Sequence, residues 1–204
     1  MLLVLLLILA GDCPGTDRVA AAPKAVPQAE RIRIVAESLS PAMRDKFRAA
    51  WGNRAEPTYQ QQRERLAKLR HLAASAGKLD KMWLLMAALE IDTGDSHDVP
   101  GALAALIVHE RLDVPDAYLL KMLAGDDVAQ HRAATFIRRL AEKGGNAETL
   151  RKKYAGPLMD VVRRRTVYHA WWYSVAALGE LRVREVSDLL SSQLRERKQG
   201  YWRG

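Results

Sequence analysis

AQHRAATFIRRL (residues 129–140) and AWWYSVAALGEL (residues 170–181) stand 41 residues apart, and laying one over the other decides the fold. Ala133 then meets Ser174, Ala134 meets Val175, Ile137 meets Leu178 and Leu140 meets Leu181. Small residues recur where two helices must approach, and aliphatic residues recur one turn later. A period of this length fits a helical hairpin. Each such unit buries its apolar face only against its neighbours, so the chain reads as a curved stack that presents a surface.

The pattern continues outward. Ser174-Val175-Ala176-Ala177-Leu178-Gly179-Glu180-Leu181 resembles the second helix of HEAT-type repeats, with small residues followed by Leu-Gly-x-Leu. The resemblance covers roughly residues 115–199. It departs from the family pattern at Ala170 and Trp171, and at Gln130 in the preceding unit, where an aliphatic residue and an arginine or aspartate usually stand. It implies an all-α fold, a right-handed α-solenoid of antiparallel helix hairpins of HEAT or armadillo type. A TPR array, with its period of about 34, is the nearest competitor.

Composition agrees with the class. Of 204 residues 49% are apolar, Ala and Leu dominate, and only two Phe occur, which favours helices and allows one domain with a sizeable core. Apolar spacing and punctuation place helices at 29–39, 41–51, 58–76, 79–92, 100–111, 118–124, 128–143, 146–165, 167–181 and 183–198. Ser40-Pro41 marks a cap followed by a first-turn proline. In the third helix Leu66, Leu69 and Leu72 form the inner stripe, and Arg63, Arg65, Lys68 and Arg70 read as its outer face. The fourth is apolar on most sides and is expected to be central.

The N-terminus is a separate matter. Residues 2–10, LLVLLLILA, are uninterruptedly apolar, and nine residues are too few for a spanning helix of about 20. They suit the core of a secretory signal, with Val19-Ala20-Ala21 as the best cleavage site, or an apolar helix docked on the first repeat. No Lys or Arg precedes the run. Cys13 follows a lipobox-like Leu9-Ala10-Gly11, but Asp12 occupies the place before it where a small residue belongs. The domain reading is therefore a signal or apolar segment over 1–22, a linker over 23–29, and a helical-repeat domain over 30–204. The location that follows is exported, periplasmic or secreted, if the segment is cleaved, and cytoplasmic otherwise. With Cys13 alone, neither a disulfide framework nor a cysteine metal cluster can form.

The net charge of +8 is uneven. Residues 132–204 hold 16 Lys or Arg against 7 acids, whereas 31–129 hold 14 of each. The candidate partner-binding residues follow from this excess: Arg151, Lys152 and Lys153, then Arg163, Arg164 and Arg165, then Arg182 and Arg184, then Arg195, Arg197 and Lys198. Trp171 joins them as the ring expected to be the more exposed of the Trp171-Trp172 pair. Cations beside flat rings serve nucleic acid, and equally an anionic lipid or glycan. Filling of the inner helix face by some of these aromatics competes with that reading.

Catalytic signals are weak. Asp92-Thr93-Gly94 spells the aspartic-protease triplet but ends a helix, whereas that chemistry needs paired carboxylates on strand-derived loops. Asp92, Asp95, His97 and Asp98 lack the alternation of a calcium loop, and Asp95 or Asp98 reads as a helix cap. His109-Glu110 has no second histidine one turn on. His131 and His169 are 38 residues apart, off the 41-residue register, so nothing requires them to align. No catalytic residue, metal or cofactor is expected. The reading is a non-catalytic interaction or scaffold module that offers a basic C-terminal face to a protein or an anionic envelope component. The alternative is a cytoplasmic nucleic-acid-binding helical repeat, since the stack also resembles the alkylation-repair glycosylases, which use a basic concave face on DNA.

Overall fold

The computed structural model describes residues 25–52, 57–91, 98–164 and 168–201, and within the last helix it leaves most side chains beyond Gln193 aside. Among the described residues the chain is all-helical: α1 Gln28–Ser38, α2 Pro41–Trp51, α3 Tyr59–Ser75, α4 Lys78–Leu89, α5 Asp98–Glu110, α6 Asp116–Leu123, α7 Asp127–Glu142, α8 Ala147–Arg164, α9 Tyr168–Glu180 and α10 Glu185–Tyr201. The apolar residues 2–10, the Asp92-Thr93-Gly94 triplet with its neighbouring acids, and Arg165 lie outside the described residues.

Local chemistry sets the helix ends. Thr58 and Gln61 form a reciprocal capping box at α3, satisfying two backbone N–H groups that the first turn leaves unpaired. Asp126 accepts from the Ala129 N–H at 2.9 Å to cap α7, and Asn146 accepts from Thr149 at 3.0 Å to cap α8. Ser40 caps α2 differently. Its N–H and hydroxyl both donate to Asp80 in the first turn of α4, at 2.8 and 2.6 Å, so a short-range turn is held by a long-range contact. Arg111 and Arg182 close α5 and α9 in the left-handed region, at φ 51° and 56°, where glycine is the easier residue.

The 41-residue pairing has a physical basis in burial. Ala133 and Ser174, Ile137 and Leu178, and Leu140 and Leu181 are all buried, as are Ala129 and Ala170. Helix α8 runs parallel to α6. Its Lys153 and Tyr154 both donate to Asp116 at the start of α6, while Arg164 at its far end donates to the Leu123 carbonyl at the end of α6, 3.4 Å away. Helix α7 lies at the centre, packed against α5, α6, α8 and α9, and α4 packs against α1, α3 and α5. The centre expected at α4 is thus shared with α7, most of whose residues are buried.

Upstream of α6 the packing differs. Gly101 near the start of α5 lies against Arg139 near the end of α7, and Lys81 at the start of α4 meets Glu110 at the end of α5 at 2.7 Å. Helix α1 lies across α4 and α6. Within the expected linker, Val26 pairs in parallel with Gly125, and α1 starts at Gln28.

Candidate functional site

The basic residues of the C-terminal third divide into two groups. Arg151, Lys152 and Lys153 occupy the first turns of α8, and Arg182 and Arg184 follow the C-terminal end of α9. Arg163 and Arg164 occupy the opposite end of α8. Gln193 of α10 reaches that end, donating to the Val162 carbonyl at 3.0 Å and accepting from the Trp171 indole N–H at 3.2 Å, so Arg195 belongs with it. Residues 151–153 and 163–164 stand 10 to 13 residues apart on one helix, which separates the two groups by roughly 15–20 Å along its axis. The side chains of Arg197 and Lys198 are outside the described residues.

Several of these cations already have carboxylate partners. Lys152 meets Glu148 at 2.9 Å, Arg163 meets Asp160 at 2.8 Å, and Lys153 is held by Asp116. Arg164 and Arg195 donate to backbone carbonyls. Exposed pairs of this kind contribute little stability, so their main effect is to damp the local field. Arg151, Arg182 and Arg184 are exposed, and among the described residues they carry no ion pair.

The aromatics are placed differently from expectation. Trp172, 49% exposed, is the outward ring, and Trp171 is half-buried because its indole bonds Gln193. Adjacent helical residues point about 100° apart, and the inner direction fell to Trp171. His131 and His169 do meet, with centroids 5.9 Å apart, and His131 lies 4.3 Å from the Tyr173 ring. The equivalent of His131 in register is Trp172. Packing seats a side chain between residues that straddle its equivalent, here His169 and Tyr173, one turn apart.

A second polar assembly was invisible in the one-dimensional pattern. Arg31 is 1% exposed and Glu90 is 2% exposed, and they join through Nε to Oε1 at 2.7 Å and Nη2 to Oε2 at 3.0 Å. Tyr118 donates its hydroxyl to Glu90 at 2.8 Å, and Asp126 meets Arg31 at 3.3 Å. Arg31 also donates to the Val26 carbonyl, and Gln28 donates to the Glu90 carbonyl at 2.9 Å. Burial opposes the Arg31 charge, yet the bond and field of Glu90 outweigh it and raise the Arg31 pKa. Burial, reinforced by Glu90, pushes the Tyr118 hydroxyl well above its usual range. The Glu90 carboxylate is committed to Arg31 and Tyr118, which makes this assembly a structural junction of α1, α4, α6 and α7.

Arg65, expected on the outer face of α3, is half-buried instead. Its guanidinium rests 4.4 Å from the Trp51 ring centroid. Spacing carried a faint signal, because Arg65 lies four residues before the buried Leu69 and flanks the inner stripe.

The chain matches no protein-family model, no curated protein and no solved structure. The HEAT resemblance therefore rests on residues 115–199 alone. Among the described residues no helix is long and apolar enough to cross a membrane, and no three His, Cys, Asp or Glu side chains gather as metal ligands.

Proposed function

We propose that the chain is a non-catalytic interaction module. Over α6 to α10 it is a right-handed α-solenoid in the HEAT manner, and it holds an acidic protein or another anionic component of the cell envelope. The observation that carries this reading is the packing of α7 against α9, whose residues 41 apart, Ile137 with Leu178 and Leu140 with Leu181, are buried alike, while α8 lies beside α6. A rigid repeated scaffold offers contact area with little ordering on binding. The apolar run at 2–10 supports an exported location.

The division of the cations into two groups, each partly paired, favours an acidic polypeptide over a phosphate backbone. Tracking phosphates needs a continuous positive path. Arg151, Arg182 and Arg184 form the surface proposed to meet the partner, and charge there serves orientation and encounter rate more than raw affinity.

The test is a pair of binding titrations of the full chain at several salt concentrations, one with poly-glutamate and one with duplex DNA of matched charge. The reading expects tighter binding to poly-glutamate and a loss of about 10-fold in Arg182→Glu/Arg184→Glu, equal to about 1.4 kcal/mol. Tighter DNA binding with a salt slope of several charges would replace it with the nucleic-acid reading. Absence of both would overturn the role given to the basic face.

A further inference from the structure

Beyond the C-terminal surface, a cavity of about 380 Å³ opens between α1, α3, the end of α4 and the start of α7. Its walls are built in helical pairs. Helix α1 contributes Gln28 and Arg31, α3 contributes Gln62 and Arg65, and α7 contributes Val128 and Arg132. In each pair the residues are three or four apart, so each helix turns one face inward. The volume suits a small organic molecule or one peptide side chain.

We propose that this cavity binds a carboxylate, carried by a small organic acid or by a peptide, with Arg65 as the group that takes its charge. Among the described residues the lining carries the guanidinium groups of Arg31, Arg65 and Arg132 and the carboxylates of Glu90 and Asp126. Arg31 is already matched by Glu90. Arg65 is not matched: among the described residues it meets no carboxylate, only the Trp51 ring, and burial alone lowers its pKa.

The platform is built in advance. Trp51 stacks on Phe47 with centroids 5.8 Å apart, and Phe47 is buried, so the ring that carries the guanidinium is fixed before any ligand arrives. A guanidinium lying on an aromatic face keeps its N–H fork directed sideways, and that fork fits the two oxygens of a carboxylate. Glu90 and Asp126 in the wall repel a phosphate dianion more strongly than a carboxylate of single charge. Ile91 and the exposed Val128 supply an apolar flank, which suits an acid with a short hydrocarbon tail.

The experiment is calorimetric titration of the full chain with hexanoate, with 1-hexanol as its neutral counterpart, with inorganic phosphate, and with N-acetyl-Gly-Leu as free acid and as amide. Hexanoate or the peptide acid is expected to bind saturably at one site, with hexanol, phosphate and the amide at least about 10-fold weaker. Arg65→Gln should weaken the acid by about 10-fold or more, the scale of one charge-assisted hydrogen bond, whereas Arg63→Gln, beside it on the exposed side, leaves binding unchanged. Arg65→Lys keeps the charge, loses the fork, and should fall between, and it decides the matter if Arg65→Gln does not fold. A tighter peptide acid assigns the carboxylate to a peptide, and a tighter hexanoate assigns it to a free acid. Equal binding by the Arg65 variants, phosphate tighter than either acid, or no saturable binding to the unsubstituted chain would overturn the proposal.

Discussion

Arg31 and Glu90 form a two-pronged ion pair across 59 residues of sequence, with both side chains shut away from water. Removing one partner strands a charge in a site that excludes solvent. Glu90→Ala is expected to cost about 3–5 kcal/mol of unfolding free energy. Replacing both, as Arg31→Met/Glu90→Leu, is expected to cost less than the sum of the single changes, because no charge is left behind. Urea denaturation of the unsubstituted chain, Arg31→Met, Glu90→Leu and the double variant checks this, and additive costs would show that the pair is not coupled.

Gly125 closes the other side of the junction. A Cβ there would fall 2.7 Å from Arg31 Nη1 and 3.0 Å from the Met122 carbonyl oxygen. Gly125→Ala should destabilise the fold by about 1–3 kcal/mol through overpacking, without requiring any change of φ. Gly77, around which there is open space, is the matched control: Gly77→Ala at that site meets nothing within 4 Å. Thermal melting of the two variants separates crowding from backbone effects.

Glu142 sets a pH dependence. Burial raises its pKa, but bonds from Arg139 and Arg138 at 2.6 and 2.7 Å prevail and hold it below the ordinary value of 4.5. The unfolded chain therefore binds more protons than the folded one in that window. Stability from this group is complete above pH about 5 and is lost as the pH falls through the lowered value. Denaturation midpoints measured from pH 6 to pH 3 should fall less steeply in Glu142→Gln than in the unsubstituted chain.

Arg182 joins strain to surface charge. At φ 56° its backbone sits where a side chain is disfavoured. Arg182→Gly should raise stability by up to about 1 kcal/mol while weakening poly-glutamate binding. Parallel loss of stability and binding would mean that Arg182 serves packing alone.

The tryptophan pair separates packing from display. Trp171→Ala should cost on the order of 2 kcal/mol, since it vacates a half-buried site and leaves Gln193 Oε1 without its donor. Trp172→Ala should stay within about 0.5 kcal/mol of the unsubstituted chain. Acrylamide quenching of the single-tryptophan variants reads the same contrast as accessibility.

What the sequence reveals, and what it hides, divides along the range of the interactions. Thr58-x-x-Gln61 marks the start of α3 because its capping is settled within four residues, and Pro41 marks the start of α2 because its fixed φ suits a first turn. The pairing of Ala133 with Ser174 and Ile137 with Leu178 is visible because burial repeats with the helix. Arg31 gave no sign of its burial, since an arginine on a helix reads as solvated until its distant partner is known. Arg65 was misread for the same reason: Trp51 lies on another helix. Trp171 and Trp172 differ by one residue, and only the position of Gln193 on α10 decides which turns inward. His131 and His169 meet because neighbouring helices mesh between equivalent positions instead of at them.

The junction at Arg31 also imposes a schedule on synthesis. At about 5–20 residues per second, Glu90 is made roughly 3–12 s after Arg31, and Asp126, 95 residues downstream, roughly 5–19 s after it. Helix α1 therefore leaves the ribosome with an arginine whose buried site is complete only once the α6–α7 turn exists. The first segment of the folded domain to be made is among the last to be secured.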